Sequence, residues 1–272
     1  MPMETKEDVR ALYARMEDLC LRAEGGEVGQ SDFLSPRELH YGTAYLTRKG
    51  VPFFAFGGYA EAERKKLYLL PDYMTGATLV ADMDHEEGID LLESYGYSAE
   101  IAAVRIDGSG YRSLTHRDFL GSLLGLGLER SVLGDVVTLE EGNRAVFFCE
   151  ERIAPFLLSE CTKVANDKVK LRRLAITEVV LPERRFISLR DTVASPRLDS
   201  VVSALCKLSR EKARDAVLDG MVEINFESED RPDRTVTVPS LISVRGCGRY
   251  RILALSEVTR KGRLRLEAEQ YR

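Results

Sequence analysis

Residues 195–225, SPRLDSVVSALCKLSREKARDAVLDGMVEIN, show a helical pattern twice and then a strand. In the first half, apolar residues recur at steps of three and four: Leu198, Val201, Val202 and Leu205. Ser209 is a natural N-cap for a second helix, which the Asp219-Gly220 pair ends. MVEIN then reads as a short strand. The stretch therefore predicts two short helices followed by a strand.

Two arginines, Arg210 and Arg214, stand four residues apart on one exposed edge of the second predicted helix. Like charges at this spacing cost roughly 0.2–0.5 kcal/mol, and a positive charge in the first turn opposes the helix dipole. One interpretation is a solvated helix on which Glu211 and Asp215 offset the repulsion. The other is a bound anion, because arginine and a helix N-terminus can both hold phosphate.

The charge of the whole chain is unevenly distributed. The 272 residues carry a net charge of −5. Residues 1–171 hold 19 basic and 29 acidic side chains, a balance of −10, whereas residues 172–272 hold 20 and 15, a balance of +5. This asymmetry predicts that the C-terminal third meets an anion, of which nucleic acid is the commonest large one.

Neither a membrane span nor a secretory signal is expected. No apolar run approaches the ~18 residues that a span needs. The first ten residues, MPMETKEDVR, have no apolar core, so we expect a cytoplasmic protein. The five cysteines are scattered and never in a C-x-x-C spacing, which predicts buried free thiols and no zinc site: Cys20, Cys149, Cys161, Cys206 and Cys247.

The first hundred residues predict a small α/β segment. Ser35, Pro36 and Glu38 form a helix-start signature, and AEAERKK at 60–66 reads as a short helix between two strands. The acidic run DMDHEEG lacks the spacing of a calcium loop. Asp84 is therefore interpreted as a helix cap and not as a metal ligand.

From residue 99 the predicted order is β-α-β-β-α-β, the split βαβ or ferredoxin-like order. Thr115 and Asp118 predict a capping box at the start of its first helix. The aromatic motif that RNA-recognition modules use for base stacking is absent. Any RNA contact here is therefore expected through basic side chains such as Arg117 and Arg130.

Basic residues also flank two predicted turns near the C-terminus: Arg245, Arg249, Arg251 and Lys261. Arg249 and Arg251 share one strand face, while Tyr250 and Ile252 face the core. These cations are candidate RNA contacts. A charged edge that resists aggregation is the alternative.

Several residue types coincide in order with the S4-type RNA-binding domain: Arg197-Leu198-Asp199, Ser209-Arg210, Ala213-Arg214 and the strand Gly220–Asn225. The resemblance spans roughly residues 184–272. It implies RNA contacts at Arg197, Ser209, Arg210, Lys212 and Arg214.

Over nearly its whole length the chain resembles the bacterial YlmH family of S4-domain proteins, through FLSPRE, GGYAEAERKKLYLLPDY, LTHRDFLGSLLGLGLERSVLGD and SVRGCGRYRI. The resemblance implies an α+β chain of three small domains. These are an N-terminal α/β domain (1–80), a ferredoxin-like, RNA-recognition-like domain (81–181) and an S4-type RNA-binding domain (182–272).

The resemblance also implies a function. We expect a non-enzymatic, monomeric RNA-binding protein without cofactor, whose partners are ribosomal RNA, tRNA and the large ribosomal subunit, in rescue or quality control of stalled translation. The alternative is an RNA-modifying enzyme of the pseudouridine synthase or methyltransferase class, or its targeting subunit. Against it, no Rossmann-like glycine loop is visible, and the three histidines lack a Ser, Asp or Cys partner arrangement. A third reading, a protein scaffold using the acidic first two-thirds, has no specific motif behind it.

Overall fold

The computed structural model describes residues 6–75, 82–139, 142–183, 186–258 and 262–271. It is a mixed α+β structure, as expected, and divides into two compact units, Met1–Pro182 and Glu183–Arg272. In the described part of the chain, no helix is long and apolar enough to cross a membrane.

The first unit begins with a four-stranded sheet of order β1-β3-β2-β4. Its elements are α1 (Lys6–Glu24), β1 (Gly29–Gln30), α2 (Pro36–Lys49), β2 (Phe53–Phe56), β3 (Lys66–Leu69), α3 (Asp72–Thr75), β4 (Asp82–Met83) and α4 (His85–Ser94). The predicted capping box of Ser35 and Glu38 is formed, and Gly50 ends α2 in the left-handed conformation. Asp84 caps α4 by accepting from the Glu86 amide, as predicted.

The short helix predicted at AEAERKK is wrong, because residues 60–64 are non-helical, Lys65 forms a β-bridge with Leu34 and Lys66 already belongs to β3. The Asp135 carboxylate accepts hydrogen bonds from the backbone N–H groups of Glu63 (2.7 Å) and Arg64 (3.1 Å). Those amides therefore bind a side chain distant in sequence and not the carbonyl groups of a preceding helical turn.

The second sheet of this unit has five strands in the order β6-β7-β5-β9-β8. Its elements are β5 (Ile101–Gly108), α5 (His116–Leu124), β6 (Leu133–Thr138), β7 (Arg144–Glu150), α6 (Ala154–Glu160), β8 (Lys163–Val164) and β9 (Asp167–Leu174). Apart from the added strand β8, this is the predicted β-α-β-β-α-β order. Thr115 and Asp118 form the predicted capping box.

The two sheets of the first unit share a hydrophobic core. Phe33, Phe54 and Tyr68 pack in one cluster with Val146 and Phe148. Arg64 adds polar contacts across the same junction. Its guanidinium donates to the carbonyl oxygens of Phe33 (2.7 Å), Arg130 (3.0 Å) and Leu133 (3.0 Å).

The second unit is a six-stranded antiparallel sheet of order β10-β15-β14-β13-β11-β12 with two helices packed on one face. Its elements are β10 (Phe186–Val193), α7 (Leu198–Cys206), α8 (Arg210–Leu218), β11 (Val222–Ile224), β12 (Glu227–Ser228), β13 (Ser240–Val244), β14 (Gly248–Val258) and β15 (Leu264–Tyr271). The predicted helix–helix–strand order of residues 195–225 is confirmed.

The expectation of five free thiols is corrected. Cys20, Cys149 and Cys161 are free and buried, but Cys206 and Cys247 are joined as a disulfide with their Cα atoms 5.9 Å apart. Packing of the α7 end against the β13–β14 turn brings these two residues together. The two cysteines are 41 residues apart in sequence, so motifs based on short cysteine spacings do not predict their disulfide.

Candidate nucleic-acid interface

Helix α8 presents its two arginines as the sequence predicts. Ser209 is the N-cap, and its Oγ accepts from the Lys212 amide at 3.2 Å. Ala213, Ala216 and Val217 are buried against the core. Arg210 and Arg214 therefore lie on the exposed edge of the helix.

The N-terminus of α7 is closed by the chain itself. Arg197 is its N-cap residue. The amide of Leu198 donates to the Arg234 carbonyl (2.8 Å) and that of Asp199 to the Pro232 carbonyl (3.0 Å). Because backbone carbonyls already satisfy these donors, α8 and not α7 offers the accessible helix start.

A buried carboxylate holds two of the predicted contact residues in place. The Asp199 side chain is only 5% exposed, and it pairs with Arg197 Nε and Arg210 Nε, each at 3.3 Å. A buried carboxylate is stable only when it is paired. Asp199 therefore orients both guanidinium groups and offsets the charge of Arg210, a role the sequence analysis did not assign. Its only sequence signal is its place in the Arg197-Leu198-Asp199 motif.

Arg197, Arg210 and Arg214 line one open cleft of about 790 Å³. Four carboxylates line it as well: Asp199, Glu211, Asp215 and Asp233. The lining as a whole is therefore not cationic. Any phosphate must meet the exposed guanidinium groups directly, since the carboxylates cancel their combined field.

Other predicted contacts lie elsewhere. The Lys212 side chain is exposed but does not line the cleft. Arg245 is exposed at the β13–β14 turn, and its amide donates to the Met221 carbonyl (2.9 Å) next to the end of α8. Lys261 lies outside the described residues.

Arg249 and Arg251 lie on the face of β14 opposite Tyr250 and Ile252, which are buried in the core with α7 and α8. Arg251 pairs with Glu269 at 2.6 Å and lies 5.1 Å from the Phe186 ring centroid, while Arg249 lies 5.8 Å from that of Tyr271. The structure therefore does not bring these two residues together with the arginines of α8. Arg251 is instead paired with the Glu269 carboxylate, as expected if these cations form a charged edge that resists aggregation.

A second buried carboxylate was missed by the sequence analysis. The Glu229 side chain is 11% exposed and pairs with Arg231 (3.2 Å) and Arg234 (3.0 Å). These residues belong to the loop whose carbonyls close α7. The alternating acidic and basic residues of EDRPDR were the available sequence signal.

Of the two arginines singled out in the first unit, Arg117 is exposed on α5. Arg130 is partly exposed, and its Nη1 donates to the carbonyls of Leu133 (2.6 Å) and Gly134 (2.9 Å). Burial and the nearby Arg64 charge lower the pKa of Arg130 to about 10. These contacts give Arg130 a structural role, and its expected RNA contact stays a prediction.

The chain is similar to known proteins in three comparisons. Residues 97–178 match the family model described as "Putative RNA-binding domain in YlmH". The chain is 28% identical over 242 residues to the "Ribosome-associated protein quality control protein P2" of Bacillus subtilis (strain 168), covering 89% of this chain and 87% of that protein. It is also similar to the structure of "Cell division protein ylmH from Streptococcus pneumoniae", with 21% identity and a TM-score of 0.48 over 66% of this chain and 98% of that one. The family-model match and the Bacillus relative confirm the resemblance to the YlmH proteins that was identified from the sequence.

Proposed function

We propose that this YlmH relative is a non-enzymatic RNA-binding protein of the cytoplasm that associates with the ribosome. Its proposed ligands are ribosomal RNA and tRNA at the large subunit, and its proposed role is in rescue or quality control of stalled translation. The description of its family model and the name of its Bacillus relative support this proposal.

The proposed organisation has three domains, 1–80, 81–181 and 182–272, the last being S4-type. The observation that carries the RNA proposal is the exposed arginine edge of α8. Arg210 and Arg214 stand one turn apart beside Arg197, and Asp199 fixes two of the three side chains. Fixing a long side chain before binding reduces the conformational entropy that RNA binding must otherwise cost.

In the proposed contact, the guanidinium groups of Arg210 and Arg214 donate to phosphate oxygens of the RNA backbone. The first turn of α8, capped by Ser209, adds the favourable end of its dipole. Contacts of this kind position RNA without reading its sequence. Recognition of a particular ribosomal element would then depend on the shape of the RNA.

The test is co-sedimentation of the full chain with purified large ribosomal subunits. The double variant Arg210→Gln, Arg214→Gln should lose most of its binding, because two phosphate contacts are removed. The matched control is Arg190→Gln, Arg263→Gln, which removes the same charge from β10 and from the residue just before β15. Equal binding by the two double variants would reject the α8 edge as the contact.

A further inference from the structure

One face of the second sheet of the first unit carries a cluster of cations. In β5, Ala102, Val104 and Ile106 are buried in the core beneath α5 and α6. Side chains alternate along a strand, so Arg105 and Asp107 lie on the opposite face. This end of the face remains accessible, with the Arg105 and Asp107 side chains 24% and 31% exposed.

Strand pairing adds further cations beside them. Asp107 is opposite Arg144 on β7 and Lys170 on β9, and Arg105 is opposite Arg172 on β9. Arg144, Lys170 and Arg172 are each partly or fully exposed. We name Arg105, Arg144, Lys170 and Arg172 the basic sheet face.

Asp107 is the carboxylate that binds this cluster together. Its oxygens lie 2.8 Å from Arg105 Nε, 3.4 Å from Arg144 Nε and 3.8 Å from Arg172 Nε. Four cations around one carboxylate leave a local balance of +3. Like charges placed opposite each other on neighbouring strands are destabilising, so Asp107 offsets only part of the repulsion.

The amino-acid composition of this segment does not predict the cluster of cations on the basic sheet face. Residues 97–178 hold 11 basic and 12 acidic side chains, a balance of −1. The fold thus gathers cations of a nearly neutral segment onto one face. Because neighbouring strands lie about 4.8 Å apart, the cations of β7, β5 and β9 form a band about 10 Å wide.

We propose that the basic sheet face is a second RNA-binding surface, which holds the phosphate backbone of an RNA strand. The proposal rests on the proposed function and names a contact surface within the segment that matches the YlmH RNA-binding domain. None of the four face residues is aromatic, so the contact is mainly electrostatic and lacks an aromatic platform for base stacking. Its affinity is therefore independent of sequence and strongly dependent on salt.

The test uses the full chain and a fluorescein-labelled single-stranded RNA of mixed sequence, with the dissociation constant measured by anisotropy across a salt series. Lys170→Gln with Arg172→Gln should lower the slope of log affinity against log salt by about 1.4, at about 0.7 per lost phosphate contact. The same loss weakens binding roughly tenfold at about 0.15 M salt.

Two further double variants control for charge and folding. Arg112→Gln with Lys163→Gln removes two exposed cations of the same segment that are not part of the basic sheet face, and it should bind like the unaltered chain. Lys170→Arg with Arg172→Lys keeps the charge and should also retain binding. Loss in this charge-conserving variant would overturn the proposal, because geometry and not charge would then be responsible.

The outcomes separate this inference from the proposed function. If Lys170→Gln, Arg172→Gln binds like its control while Arg210→Gln, Arg214→Gln is weakened, the basic sheet face is wrong and the α8 site stands. If only the sheet-face variant is weakened, the face stands and the α8 site fails. If the unaltered chain binds no RNA, both fail.

Discussion

Asp199→Asn is the substitution whose effect follows most directly from the geometry of the second unit. It keeps the shape of a side chain that is 5% exposed but removes the charge that pairs with Arg197 and Arg210. Breaking a fully buried pair costs about 3–5 kcal/mol, and breaking an exposed one costs about 0.2–1 kcal/mol. The arginine side chains are 42% and 57% exposed. We therefore place the loss for both pairs between these limits, at about 2 kcal/mol.

The second unit spans 90 residues, from 183 to 272. For a domain of this size, 2 kcal/mol corresponds to a fall in Tm of about 8–16 °C. Amide hydrogen exchange over residues 198–218 in the full chain reports the opening of α7 and α8 separately from the first unit. Asp219→Asn is the matched control. It removes the same charge from an exposed position at the end of α8 and should change the free energy of opening by less than about 0.5 kcal/mol.

A double-mutant cycle with Arg210→Gln isolates one of the two pairs. We expect a coupling free energy of about 1 kcal/mol between Asp199 and Arg210, half of the total loss. A coupling below about 0.3 kcal/mol, or equal effects of Asp199→Asn and Asp219→Asn, would refute the claim that the buried carboxylate positions the arginine.

Two further predictions concern the first unit and the cysteines. Arg64→Met removes the guanidinium that donates to the carbonyl groups of Phe33, Arg130 and Leu133 and should destabilise the first unit by about 2–4 kcal/mol. Calorimetry checks this, and a loss no larger than that of Arg117→Met would contradict it. Burial raises the pKa of Cys149 to about 12 and also raises those of Cys20 and Cys161, so all three thiols stay protonated at about pH 8. Iodoacetamide should then label none of them in the native chain and should label Cys206 and Cys247 only after reduction, whereas rapid native labelling of Cys149 would contradict its burial.

The sequence predicted the helices whose first turn is capped by a side chain close to it in the chain. Ser35 with Glu38, Thr115 with Asp118, and Ser209 all cap the helices they were expected to cap. These interactions join residues within one turn, so the sequence pattern contains both partners. The β-α-β-β-α-β order was predictable for a similar reason, since hydrophobic periodicity is local.

The errors arose where residues distant in sequence determine the outcome. Asp135 binds the amides of Glu63 and Arg64 in place of the helix predicted there. The Cys206–Cys247 pair depends on how α7 meets the β13–β14 turn. No window of sequence contains both partners of such contacts.

The candidate site was predictable in part. Propensity and capping indicated the exposed edge of α8, but the role of Asp199 required the packing of α7 against α8. The basic sheet face required the register that places Asp107 opposite Arg144 and Lys170. A one-residue slip of β9 would move Lys170 to the other side of the sheet.

The arginine edge of α8 is the proposed contact with an RNA backbone on the ribosome. The most direct measurement is the salt dependence of binding to purified large ribosomal subunits, compared between the unaltered chain and Arg210→Gln, Arg214→Gln. We expect the variant to lower the slope of log affinity against log salt by about 1.4. An unchanged slope, with affinity equal to that of Arg190→Gln, Arg263→Gln, would contradict it.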